Sequence, residues 1–155
     1  MNATIANQDA MAGFSARTGS ANFVRMFKPQ FAALVEHGAK LQTVRPTPKR
    51  LPKPGDMMSA RTWTGLPYRS KQRVLREVQI TKVLPIEILG SHGIKLDGQL
   101  LTLGQEWDFA RADGFNTPKD MFEWFAFEHG LPFAGVVLYW HNDRISDRAD
   151  NAGGA

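Results

Sequence analysis

The chain contains no cysteine. That excludes a disulfide framework, a thiolate zinc site and a cysteine nucleophile, and it fits a reducing compartment. No apolar run approaches the roughly 18 residues of a membrane span. The opening residues, Met1 to Asp9, lack both the basic start and the apolar stretch of a secretory signal. The expectation is a cytoplasmic protein with no membrane partner. The histidines, His37, His92, His129 and His141, are not at helical ligand spacing and no acid cluster accompanies them, so no metal is expected. Gly55-Asp56 and Gly65 do not form a phosphate-cradling glycine loop, and no cofactor is expected.

Acidic residues are scarce in one segment. Between Lys40 and Arg76 there are ten basic residues and a single acid, Asp56, whereas the rest of the chain has 9 basic and 14 acidic residues. Such asymmetry points to one face built for an anionic partner, although a solvated Lys/Arg-rich loop region has the same composition. The length of 155 residues suits one domain. Residues 1–20 are small and polar and are expected to be flexible. Residues 142–155 alternate in charge, end in Gly153-Gly154-Ala155, and are expected to be disordered. The ordered domain is expected over 21–141.

Within it, Phe23 to Phe27 alternates as a strand does. Pro29 suits a first helical position, with Phe31, Leu34 and Val35 on one face and Gly38 as terminator. Strands are expected at Leu41–Arg45, from Met57 to Thr64, and over Arg73 to Val83, where the drifting apolar phase predicts a bend or bulge. Asp97-Gly98 predicts a short hairpin across Ile94–Leu100. Thr117-Pro118-Lys119-Asp120 opens the clearest helix, and Gly135 to Trp140 reads as a buried final strand. The aromatics of the last helix, Phe122, Trp124, Phe125 and Phe127, read as core. The fold class is therefore α+β, with five or six strands in a small curved β-barrel and two main flanking helices.

Two constellations stand out. In Gly38-Ala39-Lys40-Leu41-Gln42-Thr43-Val44-Arg45, a glycine ends a helix and the chain enters a strand. Thr43 and Arg45 share a face and Lys40 lies at the strand's start. A lysine, a hydroxyl and a guanidinium converge on one cleft, or else line an ordinary exposed strand face. In Arg61-Thr62-Trp63-Thr64-Gly65-Leu66-Pro67-Tyr68-Arg69-Ser70-Lys71, two aromatics lie among three cations. Trp63 and Tyr68 would stack bases while Arg61, Arg69 and Lys71 meet phosphates, or the two rings would simply pack across a hairpin.

The order of several short motifs resembles the ASCH family, a branch of the PUA-like β-barrels. The motifs are Phe27-Lys28-Pro29 with Phe31, then Gly38, Lys40, Thr43 and Arg45, then Pro54-Gly55-Asp56, Asp113-Gly114-Phe115 and the closing strand from Gly135 to Trp140. The similarity covers about Phe23 to His141. It implies a PUA-like barrel with helices around a cleft that accepts RNA or a modified nucleoside. Some small ASCH proteins are amidohydrolases that deacetylate N4-acetylcytidine. Their Lys, Thr and Glu match Lys40, Thr43 and Asp113, with aspartate one methylene shorter than glutamate. The reading of first choice is RNA or nucleotide binding in a cleft lined by Lys40, Thr43, Arg45 and Asp113. The alternatives are an amidohydrolase on an acylated cytidine, with ribonuclease activity behind it, and an interaction module gripping an acidic protein.

Overall fold

The computed structural model describes residues 19–90 and 92–142. The expected flexible start (1–20) and disordered tail (142–155) fall, but for 19, 20 and 142, outside the described residues. Along the described chain come β1 (Asn22–Met26), α1 (Pro29–Glu36), β2 (Gln42–Pro46), β3 (Met57–Trp63) and β4 (Gln72–Ile88). Then follow β5 (Ile94–Leu96), β6 (Gln99–Leu100), α2 (Leu103–Ala112), α3 (Pro118–Glu128) and β7 (Phe133–Trp140).

The 17-residue strand β4 is the spine. Its first half pairs antiparallel with β3, and its second half pairs with β7. The end of β4 also pairs with β5. Parallel β1 extends the sheet beyond β3, and antiparallel β2 extends it beyond β7. The expected bend in β4 is present. The register shifts at Ala60/Arg61 and at Ile80/Lys82 leave Leu75 and Thr81 as extra residues. Each shift bends the strand and reverses the inward phase, so the neighbours Leu75 and Arg76 are both buried. The hairpin between β5 and β6 turns at Asp97 (φ 52°) and Gly98 (φ 80°), the left-handed pair such a two-residue turn requires.

Two expectations need correction. The sheet has seven strands and does not close into a barrel. The strands that would have to join, β1 and β2, share no ladder; β1 pairs only with β3 and β2 only with β7. A side chain spans the seam instead: an Arg45 guanidinium N–H donates to the Met26 carbonyl at 2.8 Å. The described residues also hold three helices rather than two. The unexpected one, α2, begins with a capping box in which Thr102 and Gln105 satisfy each other's backbone N–H groups.

The core includes Met58, Ile80, Ile86, Val137 and Leu138, all fully buried; the adjacent Val137 and Leu138 point to opposite faces of β7, so both faces of the sheet are covered in part. The α1 face bearing Phe31, Ala32 and Val35 packs on this core, as does the α3 face bearing Met121, Phe122 and Phe125. Phe127 departs from the core reading of the last helix and is exposed. Asp56 of the Pro-Gly-Asp motif is fully buried, and its carboxylate accepts from the backbone N–H groups of Ala21 and Lys53, each at 2.9 Å. It pins the start of β1 to the turn before β3.

Strand β7 lies between β2 and β4, and Gly135 is its tightest point. A Cβ there would sit 2.2 Å from the Arg45 carbonyl oxygen and 2.9 Å from the Phe133 ring. Gly135→Ala is therefore expected to destabilise the domain by about 1–3 kcal/mol, the range for forcing volume into a packed interior. A urea titration read by tryptophan fluorescence measures it, and an unchanged midpoint would contradict the close approach.

Candidate functional site

Local chain chemistry delivers four polar side chains to the seam. After α1, Gly38 takes the left-handed conformation (φ 79°) and turns the chain into β2. That places Lys40 just before the strand, with Thr43 and Arg45 along it. From the opposite side, Asp113 is the C-cap of α2. Gly114 follows at φ 101°, where a Cβ would crowd Phe31 and Leu34 of α1, at 3.0 and 3.2 Å. The Phe115 ring then meets Phe31 edge-on, with centroids 5.3 Å apart. The Asp-Gly-Phe motif is thus a helix end that docks α2 on α1 and aims a carboxylate at Lys40.

The pair is buried on both sides, with side chains 3% and 5% exposed. Lys40 Nζ donates to Asp113 Oδ1 at 3.1 Å and also to the Asp113 backbone carbonyl. A cation at the carbonyl end of a helix also meets the negative end of its dipole. The Phe31 ring centroid lies 4.9 Å from Nζ. Burial pushes the Lys40 ammonium below its usual pKa and the Asp113 carboxyl above its own, and each charge opposes the other's shift. The Gln42 amide also favours ionised Asp113, yet its buried Nε2 closes no hydrogen bond. Next to the pair, Arg45 Nε donates to Thr43 Oγ1 at 3.1 Å, and the guanidinium lies 4.7 Å from the Phe27 ring centroid. Burial, and secondarily the nearby Arg25, lower Arg45 to about 10, so it stays cationic at neutral pH.

These groups line a cavity of about 170 Å³ in the seam between β1 and β2. Phe27, Phe31, Phe115 and Trp124 give it aromatic walls. Lys28, ion-paired with Glu128, and His129 also line it. Trp124, Glu128 and His129 belong to this cleft and were not foreseen as site residues. Trp124 and Glu128 are four apart on the last helix, so their shared face was a usable signal. Among the described residues, no group of three or more His, Asp or Glu side chains is placed to hold a metal, and no helix is long and apolar enough to cross a membrane.

The second constellation is not in the cleft. Arg61 and Trp63 end β3, while Tyr68, Arg69 and Lys71 lie on the connection to β4. Trp63 and Tyr68 do pack together, with centroids 5.1 Å apart and a 50° tilt. The Phe27 amide donates to the Arg61 carbonyl at 2.7 Å, which joins this hairpin to the cleft wall.

No protein-family model, curated protein or solved structure matches the chain.

Lys40→Met leaves Asp113 buried without its counter-charge and is expected to cost about 3–5 kcal/mol. The loss has a definite pH sign. Burial raises the folded carboxyl above the unfolded value of 3.8. The variant is therefore most stable below that value, and its stability falls as pH rises through the raised folded pKa. Denaturant melts from about pH 3 to about pH 7 test the linkage. The variant should lose more stability over that range than the wild type, and a variant curve parallel to the wild type's would contradict an uncompensated Asp113.

Proposed function

We propose that the chain is an ASCH-like, PUA-like domain whose seam cleft receives the base of an RNA or of a modified nucleoside. The observation that carries this reading is the convergence of Lys40, Thr43, Arg45 and Asp113 on one small aromatic-walled cavity. A volume of about 170 Å³ is below the ~300 Å³ at which pockets for drug-sized ligands begin. It suits one planar ring system rather than a whole nucleotide, which leaves sugar and phosphate at the mouth. Aromatic walls accept the faces of a base, and the polar groups read its edge. The Thr43 hydroxyl hydrogen remains free, because its oxygen accepts from Arg45.

A second reading, amide hydrolysis of an acylated cytidine, is favoured by the Lys40 environment. Burial lowers its pKa, the direction a lysine base requires. Asp113 reaches Lys40 directly despite its shorter side chain. In such a reaction Thr43 Oγ would attack the acetyl carbonyl and pass its proton to Lys40. The Arg45 N–H would stabilise the charge at Thr43, and the proton would leave with the cytidine amine. Water would then release acetate from Thr43. The ion pair with Asp113 opposes this reading, since it holds Lys40 in the protonated form.

Calorimetric titration with cytidine and N4-acetylcytidine, with chromatography of the same mixtures, separates the two. Binding without release of cytidine supports the binding domain, and Thr43→Val, which keeps the shape and loses the hydroxyl, should then weaken affinity by up to about tenfold. Release of cytidine and acetate that vanishes in Thr43→Val would make the hydrolase the correct reading. Neither binding nor release by the wild type would defeat both.

A further inference from the structure

The connection between β3 and β4 is hydrogen-bonded to itself, basic and topped by an exposed ring. Thr64 binds the Lys71 carbonyl through both its N–H, at 2.9 Å, and its hydroxyl, at 2.8 Å. The Ser70 hydroxyl accepts from the Gly65 N–H and donates to the Leu66 carbonyl. The Arg69 N–H also donates to Leu66 O, at 3.1 Å. The loop is therefore tied by its own backbone and hydroxyls, which leaves its larger side chains to the solvent.

Tyr68 is 90% exposed and stands at φ 62°. That left-handed conformation is uncommon for a bulky residue and invites a functional explanation. Trp63 backs the Tyr68 ring, so its orientation is held in advance of any partner. Arg69 and Lys71 follow it in the same loop, and neither side chain has an ion-pair or hydrogen-bond partner among the described residues. No acidic residue occurs from Met57 to Arg76. An exposed, braced ring in one loop with two unpaired cations is an arrangement that stacks a base while meeting its phosphates. An acidic peptide would be held by the cations alone and would have no use for the ring.

Through β3 the tip is also joined to the wall of the cleft. β1 ends at Met26, opposite Arg61, and Phe27 hydrogen-bonds to Arg61 while lining the cavity. β3 continues past that point to Trp63, a step of about 3.3 Å per residue. A strand with one base in the cleft would run along β3 toward the tip.

We propose that the β3–β4 tip is a second contact for single-stranded RNA, in which Tyr68 stacks on one base and Arg69 and Lys71 hold the adjoining phosphates, in addition to the base held in the cleft. The link between the two contacts rests on the reading of the cleft given above.

The test uses a fluorescein-labelled single-stranded RNA of about ten nucleotides, within the span of one small module, read by anisotropy at several salt concentrations. Tyr68→Ala should weaken binding by about 5- to 100-fold, the range for one lost base stack, and Tyr68→Phe should restore it. Arg69→Ala with Lys71→Ala should flatten the salt dependence by about one to two in log–log slope. All three should melt like the wild type, since these side chains are exposed. Calorimetry with free cytidine should be unchanged in every tip variant. Wild-type affinity in Tyr68→Ala, absence of RNA binding, or equal affinity for polyglutamate would overturn the proposal. RNA binding that depends on Tyr68 with no binding of free nucleoside would confirm the tip and refute the cleft reading alone.

Discussion

The contact between Lys40 and Asp113 is the polar link at the point where the end of α2 docks on α1 and the start of β2. It connects the segment leading into β2 with the end of α2, and the Phe31 ring of α1 packs against it. As a stabilising device it is a poor choice. Removing two charges from water costs several kcal/mol per ion, and the attraction repays that only when further hydrogen bonds complete the site. Here the compensation is partial. Lys40 has a carboxylate, a helix-terminal carbonyl and an aromatic face, whereas Asp113 has Lys40 and an amide that closes no hydrogen bond. A well-packed apolar pair would hold these elements at lower cost. Perturbed, mutually constrained ionisable groups lining a cavity are the usual signature of a functional site.

The open seam follows from the same arrangement. Closing the barrel would require β1 and β2 to share backbone hydrogen bonds, which would bring Met26 and Arg45 into register and eliminate the space between them. The chain instead satisfies the Met26 carbonyl with the Arg45 side chain. A guanidinium reaches farther than a backbone N–H, so the strands stay apart and a cavity remains. The same guanidinium hydrogen-bonds to Thr43. One side chain therefore sets the width of the cleft and orients the hydroxyl within it. Gly135 supports this from behind, because only a residue without a Cβ lets β7 lie this close to the Arg45 carbonyl.

Features governed by neighbouring residues were legible in the sequence. The left-handed Gly38, the Asp97-Gly98 turn, the Thr117 cap with Pro118 and the bend in β4 depend on chemistry within a few residues, and all are present. The convergence of Lys40, Thr43 and Arg45 came from strand periodicity, and the place of Asp113 from the order of motifs. What was missed depended on distant contacts or on weak local patterns. Helix α2 has low hydropathy and a Gly-Gln-Glu start, so only its Thr102–Gln105 box marked it. Barrel closure is decided by whether the edges of β1 and β2 pair, and no periodicity reports whether two edges meet. Trp124 was assigned to the core by its apolar character, although it stands half-buried in the wall of a cavity.

The basic segment shows why formal charge overstates a binding surface. Of its ten cations, Lys40 is neutralised by Asp113, Arg45 is committed to Thr43 and Met26, and Arg73 pairs with Glu36. Arg61 is engaged by Ser59 and Gln72, and Arg76 by Asn142. The cations committed within the fold shape the cleft and its surroundings. Arg69 and Lys71, by contrast, are exposed on a tied loop beside an exposed ring. A phosphate chain responds to cations that can meet it without breaking internal bonds. On the proposed reading, attraction would fall to the hairpin tip and to Lys49 and Arg50, which are exposed before β3, and selectivity to the buried, hydrogen-bonded cleft, where an unmatched polar group has no water to turn to.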